Sequence, residues 1–226
     1  MNYRTLLAEL GFKEEVLGVH EGKVEVPKHS LIAPFEPGYG FPPIIVPLWS
    51  DGALPGYIGV VTRWFGGEDR GFIKYYSASQ YASEIALTFD QLKAWLTFDF
   101  LCNIPDAKEV GSFAESIHLC ARDKVEEYFS GCNDYPDLIE LSEFKSDLPQ
   151  FLIGGSNNSQ PSWVQPHSAK AEILEQIEQG DFLDAWHGIN SPGLTRNETI
   201  YLLQKIAPFS GDERFHQLVD CWTEAQ

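Results

Sequence analysis

The sequence predicts an α+β protein: an antiparallel β-sheet meander flanked by helices, followed by a helical C-terminal segment. Three observations predict it. Between Ile44 and Tyr76, runs rich in β-branched and aromatic residues are separated by short clusters of Gly, Pro, Ser and Asp. Strands joined by such short turns must be antiparallel, because parallel neighbours need long crossovers. Capping-box spacings at Thr88–Gln91, Ser112–Glu115 and Thr195–Glu198 mark helix starts. Beyond residue 167, apolar residues recur at helical spacing.

The elements follow in order. Leu6, Leu7, Leu10, Val16 and Leu17 predict a short helix within Tyr3–Leu17, with Gly11 as its stop. Val24 and Val26 alternate with charged residues, and Pro27 ends that run. Four prolines between Pro34 and Pro43 predict an irregular, extended stretch. Ile44 to Trp49 reads as a buried strand interrupted by Pro47, and Ser50-Asp51-Gly52 as a turn. Tyr57 to Phe65 is a second strand, the segment from Gly66 to Gly71 a hairpin loop, and Phe72 to Tyr76 a third strand.

Thr88 then opens a helix whose stripe is Leu92, Trp95, Leu96 and Phe100. Ser112 opens another, reaching Phe129, with Gly131 as its stop. Residues 1–150 are expected to form the α+β domain. Residues 151–166, rich in Gly, Ser, Asn, Gln and Pro, read as a linker. Residues 167–226 form the helical C-terminal segment, with helices at Ser168–Trp186, Thr195–Ala207 and Asp212–Ala225.

Charge narrows the function. The 226 residues carry 33 acids and 16 bases, a formal net charge of −17, yet 43% are hydrophobic. That composition folds, so the acidity belongs to a surface and not to a disordered tail. Phosphates and anionic lipid would be repelled, which argues against nucleic-acid and membrane partners. A basic protein partner is favoured. Residues 101–150 are the most acidic part per residue, with 11 acids against 4 bases. Within them Asp134, Asp137, Glu140, Glu143 and Asp147 form a strip without the glycine and glutamate spacing of a calcium loop. The strip reads as a docking surface for basic residues. Tyr57 and Trp64, placed by strand alternation on an outer sheet face, read as its aromatic anchors.

Catalytic patterns are weak. The four cysteines form no CxxC pair and the six histidines form no HxH or HxxxH pair, so no metal site or cofactor is expected. The chain has no G-x-S-x-G elbow. Gly66, Gly67 and Gly71 lack the Lys-Ser/Thr of a phosphate loop. The expectation is a non-catalytic protein; the alternative is a small hydrolase or transferase using Cys102 or a loop acid. MNYRTLLAELGF is not patterned as a signal peptide, and no run approaches the apolar length of a membrane span. A cytoplasmic location is therefore expected, with free thiols.

The passages PLWSDG, PGYIGVV, FIKYY and IALTFDQLKAWL, between Ile44 and Leu96, resemble the core of the SMI1/KNR4-like (SUKH) superfamily. In that family an antiparallel meander is followed by a helix opening with a small polar residue and an aromatic. The similarity covers about a quarter of the chain. It implies a bacterial immunity or intracellular interaction protein without catalytic activity, one that neutralises a toxin, often a basic nuclease, by binding it.

Overall fold

A computed structural model of the chain describes residues 3–20, 23, 27, 40–50, 56–62, 64–66, 71–103, 107–117, 138–139, 141–145, 147–149, 152–153, 163–165 and 168–224. The architecture is α+β, as the sequence predicts. Four antiparallel strands pair in chain order: β1 (Ile45–Ser50), β2 (Gly56–Val61), β3 (Gly71–Tyr76) and β4 (Tyr81–Ala86). Before them come α1 (Tyr3–Glu9) and α2 (Glu14–His20); after them come α3 (Phe89–Asn103) and α4 (Ala107–Ser116). The C-terminal helices are α5 (Lys170–Gln179), α6 (Phe182–Ile189), α7 (Arg196–Ile206) and α8 (Glu213–Glu224).

Every residue of β1 and β2 is buried, with no alternation between inside and outside. Both faces of the sheet are covered, and the ring contacts show by what. Phe72 and Lys74 point to one face, where they meet Phe89 and Trp95 of α3 at 6.2 and 5.5 Å. Tyr57 and Tyr75 are register partners on the other face. There Phe41 meets Tyr57 at 5.0 Å and Trp163 meets Tyr75 at 6.1 Å. Two-sided burial gives strands that read as continuous apolar runs. It also makes α3 a core element: Leu92, Trp95, Leu96, Phe98, Phe100 and Leu101 are all buried. Even Lys93 is buried, and its ammonium pairs with Asp90 at 2.6 Å.

Pro47 is accommodated because β1 lies at the sheet edge, and the register shifts between Pro47 and Trp49. Opposite it sits Gly59. A Cβ on Gly59 would lie 2.7 Å from both the Val46 carbonyl oxygen and Ile45 Cγ2, so only glycine lets the two strands approach.

The C-terminal helices share one apolar core with the sheet. Trp64 and Phe65, just past β2, insert among them: Trp64 packs edge-on against Phe215 at 5.5 Å, and Phe65 meets Phe215 at 5.4 Å and Trp186 at 6.0 Å. Phe41 meets Trp222 of α8 at 6.1 Å, and α8 also packs on α1. A buried hydrogen bond crosses the same seam. The Ile44 N–H donates to Asn190 Oδ1 at 2.5 Å, while Asn190 Nδ2 donates to the Trp186 carbonyl at 2.7 Å.

Several expectations are corrected. The first helix ends earlier, at Glu9, with Gly11 (φ +84°) as the stop, and α2 follows it. The second strand ends at Val61 and not at Phe65, because Trp64 and Phe65 turn into the helical core. A fourth strand, β4, extends the meander. Ser112 lies inside α4 and does not open it; the helix already starts at Ala107. The segment Ser168–Trp186 is two helices, split by Gly180 at φ +86°. The capping boxes at Thr88 and Thr195 form as read: Gln91 N–H donates to Thr88 Oγ1 at 3.2 Å, and Glu198 N–H to Thr195 Oγ1 at 3.3 Å. Val24 and Val26, Pro34 and Pro37 of the irregular stretch, the turn at 51–52, loop residues 67–70, all of residues 118–137 with Cys120 and Cys132, and most of residues 151–166 lie outside the described residues.

Candidate functional site

The acidic strip and a cavity are two candidate sites among the described residues. Of the strip, Glu143 and Asp147 are described; Asp134, Asp137 and Glu140 lie outside the described residues. The backbone at Glu143 and Asp147 is clamped to the helix that closes the meander. Gln91 is fully buried in the first turn of α3. Its Oε1 accepts from the Leu87 and Thr88 N–H groups at 2.8 and 3.4 Å. Its Nε2 donates to the carbonyl oxygens of Glu143 and Asp147 at 2.9 and 2.7 Å. One side chain thus caps a helix and fixes the backbone of the acidic segment. Leu138, Leu141 and Phe144 bury the segment's apolar side. Asp147 is exposed and Glu143 half-buried, and Ile139, Leu148 and Ile153 stand out at 42%, 36% and 61% exposure. Exposed aliphatic side chains beside carboxylates on a fixed backbone have the composition of a protein-binding surface, apolar with a polar rim.

The aromatic anchors read from the sequence are not where alternation put them. Tyr57 is only 1% exposed, because Phe41 covers the face it points to. Trp64 is half-buried and its ring is spent on Phe215. Its indole Nε1 is buried without an acceptor among the described residues. Trp64→Phe should therefore keep most of the packing and leave the urea midpoint nearly unchanged, whereas Trp64→Ala should cost about 2–3 kcal/mol. A Trp64→Ala variant as stable as the parent would contradict the packing role.

The cavity, of about 310 Å³, lies where the sheet meets the C-terminal helices. Gly40–Pro43 before β1, the β3–β4 hairpin and the α6–α7 loop enclose it, with Arg196 and Trp222 at its helical side. Several of its polar groups are engaged with neighbours. Asn190 is held as described above; Ser191 Oγ donates to the His187 carbonyl and accepts from Gln165 N–H, both at 2.7 Å. Thr199 Oγ1 donates to the Thr195 carbonyl at 3.1 Å, and Arg196 Nη2 donates to the Trp222 carbonyl at 3.1 Å. Burial, with a smaller contribution from nearby Tyr57, pushes the Tyr75 phenol up to about 12, so it stays protonated at neutral pH. Sequence reading missed this site because its residues come from five separated stretches; no local motif marks it.

The thiol of the enzymatic alternative is poorly set up for attack. Cys102 is exposed at the end of α3, and partial burial together with Asp99 raises its pKa. A nucleophilic cysteine needs the opposite shift. Glu68 and Asp69, the loop acids, lie outside the described residues. Among the described residues no three His, Cys, Asp or Glu side chains converge as a metal site would require. Among them, too, no helix is long and apolar enough to cross a membrane.

No family model, curated protein or solved structure matches the chain.

Proposed function

We propose that the protein is a non-catalytic, cytoplasmic binding module that covers the functional surface of a basic protein partner, in the manner of a toxin-immunity protein of the SMI1/KNR4-like kind. One observation carries this reading: an acidic, partly apolar segment, Ile139 to Ile153, whose backbone Gln91 ties to the first turn of α3. Fixing the segment before contact lowers the ordering cost of binding. The net charge of −17 supplies long-range attraction for a cationic surface. The sequence similarity over Ile44–Leu96 points to the same class, and the raised Cys102 thiol weighs against the hydrolase or transferase alternative.

The test is capture from the source organism's lysate at low and high salt, with the parent and with a Glu143→Lys/Asp147→Lys variant. The expected result is a basic protein retained by the parent at low salt, reduced by tenfold or more at high salt, and lost from the variant. Asp147 is exposed and Glu143 half-buried, and the backbone carbonyls that Gln91 holds are kept in the variant, so it should fold, with a cooperative thermal transition that checks this. Equal capture by both proteins, or no salt-sensitive partner, would overturn the reading.

A further inference from the structure

Two exposed large apolar side chains of the C-terminal helices belong to one patch. Phe209, in the 3-10 turn Ala207–Phe209 after α7, is 51% exposed, and Leu183, in the first turn of α6, is 43% exposed. Phe182 links them. It precedes Leu183 in the chain, and its ring stacks on Phe209 at 4.6 Å and 20°. Apolar residues scattered singly are ordinary on a surface, whereas joined ones mark an interaction site. A line of rings also holds this patch still. Phe182 meets Phe65 at 6.3 Å, and Phe65 meets Trp186 and Phe215 in the core. Leu183 reaches the chain at Gly66, where an added Cβ would lie 3.4 Å from Leu183 Cδ1. Side chains held this way lose little freedom when a partner lands on them.

The charge around the patch has one sign. Between Lys170 and Arg196 the sequence has five acids, Glu172, Glu175, Glu178, Asp181 and Asp184, and no lysine or arginine. All five are exposed. Asp181 and Asp184 bracket Phe182 and Leu183 in the chain, and neither carboxylate makes a hydrogen bond or ion pair with another described residue. This charge selects the occupant. A second copy docking patch to patch would set these carboxylates against their own counterparts, between bodies that each carry −17. Anionic lipid is repelled in the same way. A cationic segment with large apolar side chains is complementary to the whole patch. Its apolar groups cover Leu183 and Phe209, its cations face Asp181 and Asp184, and a guanidinium can also lie on the open ring of Phe209.

We propose that this patch docks a short amphipathic helix, rich in lysine or arginine, from a partner protein. The surface uses no residue of the 138–153 segment and does not rest on the reading above. The experiment titrates a fluorescein-labelled leucine–lysine peptide, its leucines along one helical face, into the full chain. A scrambled peptide of the same composition is the reference. The parent should bind the amphipathic peptide about tenfold or more tightly than the scrambled one. Leu183→Ser/Phe209→Ser should abolish that preference, and Asp181→Asn/Asp184→Asn should weaken binding severalfold. The Asp181 side chain makes no cap bond, so its Asn removes charge without removing one. Glu143→Lys/Asp147→Lys should keep the preference. Hydrogen–deuterium exchange on the parent with the peptide bound should slow over residues 181–184 and 207–211. Equal binding of the two peptides by the parent, a preference that survives Leu183→Ser/Phe209→Ser, or protection confined to residues 138–153 would each overturn the proposal. So would a dimer of the parent that Leu183→Ser/Phe209→Ser abolishes, because a second copy would then be the occupant. The exchange is read on the parent, so it decides the matter even where a variant is unstable.

Discussion

Gly59→Ala should destabilise the fold by about 3 kcal/mol, at the upper end of the cost of overpacking a core. The new methyl would sit 2.7 Å from the Val46 carbonyl oxygen and 3.2 Å from Pro47 Cα, both backbone atoms of the paired strand. Backbone cannot rotate away as a side chain can, so β1 must shift as a unit. That strand is buried on both faces and joined at its start to Asn190, so the shift would be felt on both sides of the seam. Gly66→Ala is the control. Among the described residues a methyl there meets only Leu183 Cδ1, at an ordinary 3.4 Å, and should change stability by less than about 0.5 kcal/mol. Urea unfolding measures both. A lower midpoint with an unchanged slope for Gly59→Ala alone is the expected result. Equal midpoints for the two variants would contradict the close approach of β1 and β2.

Asn190→Leu should cost about 2–3 kcal/mol, because it leaves the buried Ile44 N–H without its acceptor and removes one of the two donors to the Trp186 carbonyl, the other being the residue's own backbone N–H at 3.2 Å. Asn190→Asp separates the two bonds. It keeps the acceptor for Ile44 N–H but turns the donor toward Trp186 into a second oxygen. As a carboxylate in a buried site facing a carbonyl, it should titrate above its unfolded value. Protonation restores the donor. Its deficit against the parent should therefore be largest at neutral pH and shrink as pH falls through the raised folded-state pKa toward about 4. A deficit that grows on acidification would contradict the assigned donor and acceptor roles.

Much of the fold was legible because local chemistry decided it. Thr88 and Thr195 each had the partner three residues on that closes a capping box, and both boxes form. The meander's first three strands carried enough Ile, Val, Tyr and Phe to stand out. The fourth, Tyr81–Ala86, did not: its sequence YASEIA has one β-branched residue, and it gains strand geometry by pairing with β3. Ser112 shows the opposite failure. Its spacing to Glu115 matches a cap, but α4 runs straight through it. Whether such a residue caps or continues a helix depends on what precedes it.

The site was less legible than the fold. Tyr57 was misplaced because alternation implies an outer face only when that face meets water, and here Phe41 and Trp163 cover it. That covering is a tertiary fact. The acidity of residues 101–150 was plain, but its anchoring was not: Gln91 and Asp147 lie 56 residues apart. The cavity is more distant still, joining Gly40 to Trp222.

The most direct test of the interaction reading is hydrogen–deuterium exchange on the chain alone and on its complex with the basic protein captured at low salt. The account predicts slowed exchange concentrated in residues 138–153, lost when salt releases the partner. Unchanged exchange across that segment, with protection elsewhere, would contradict it.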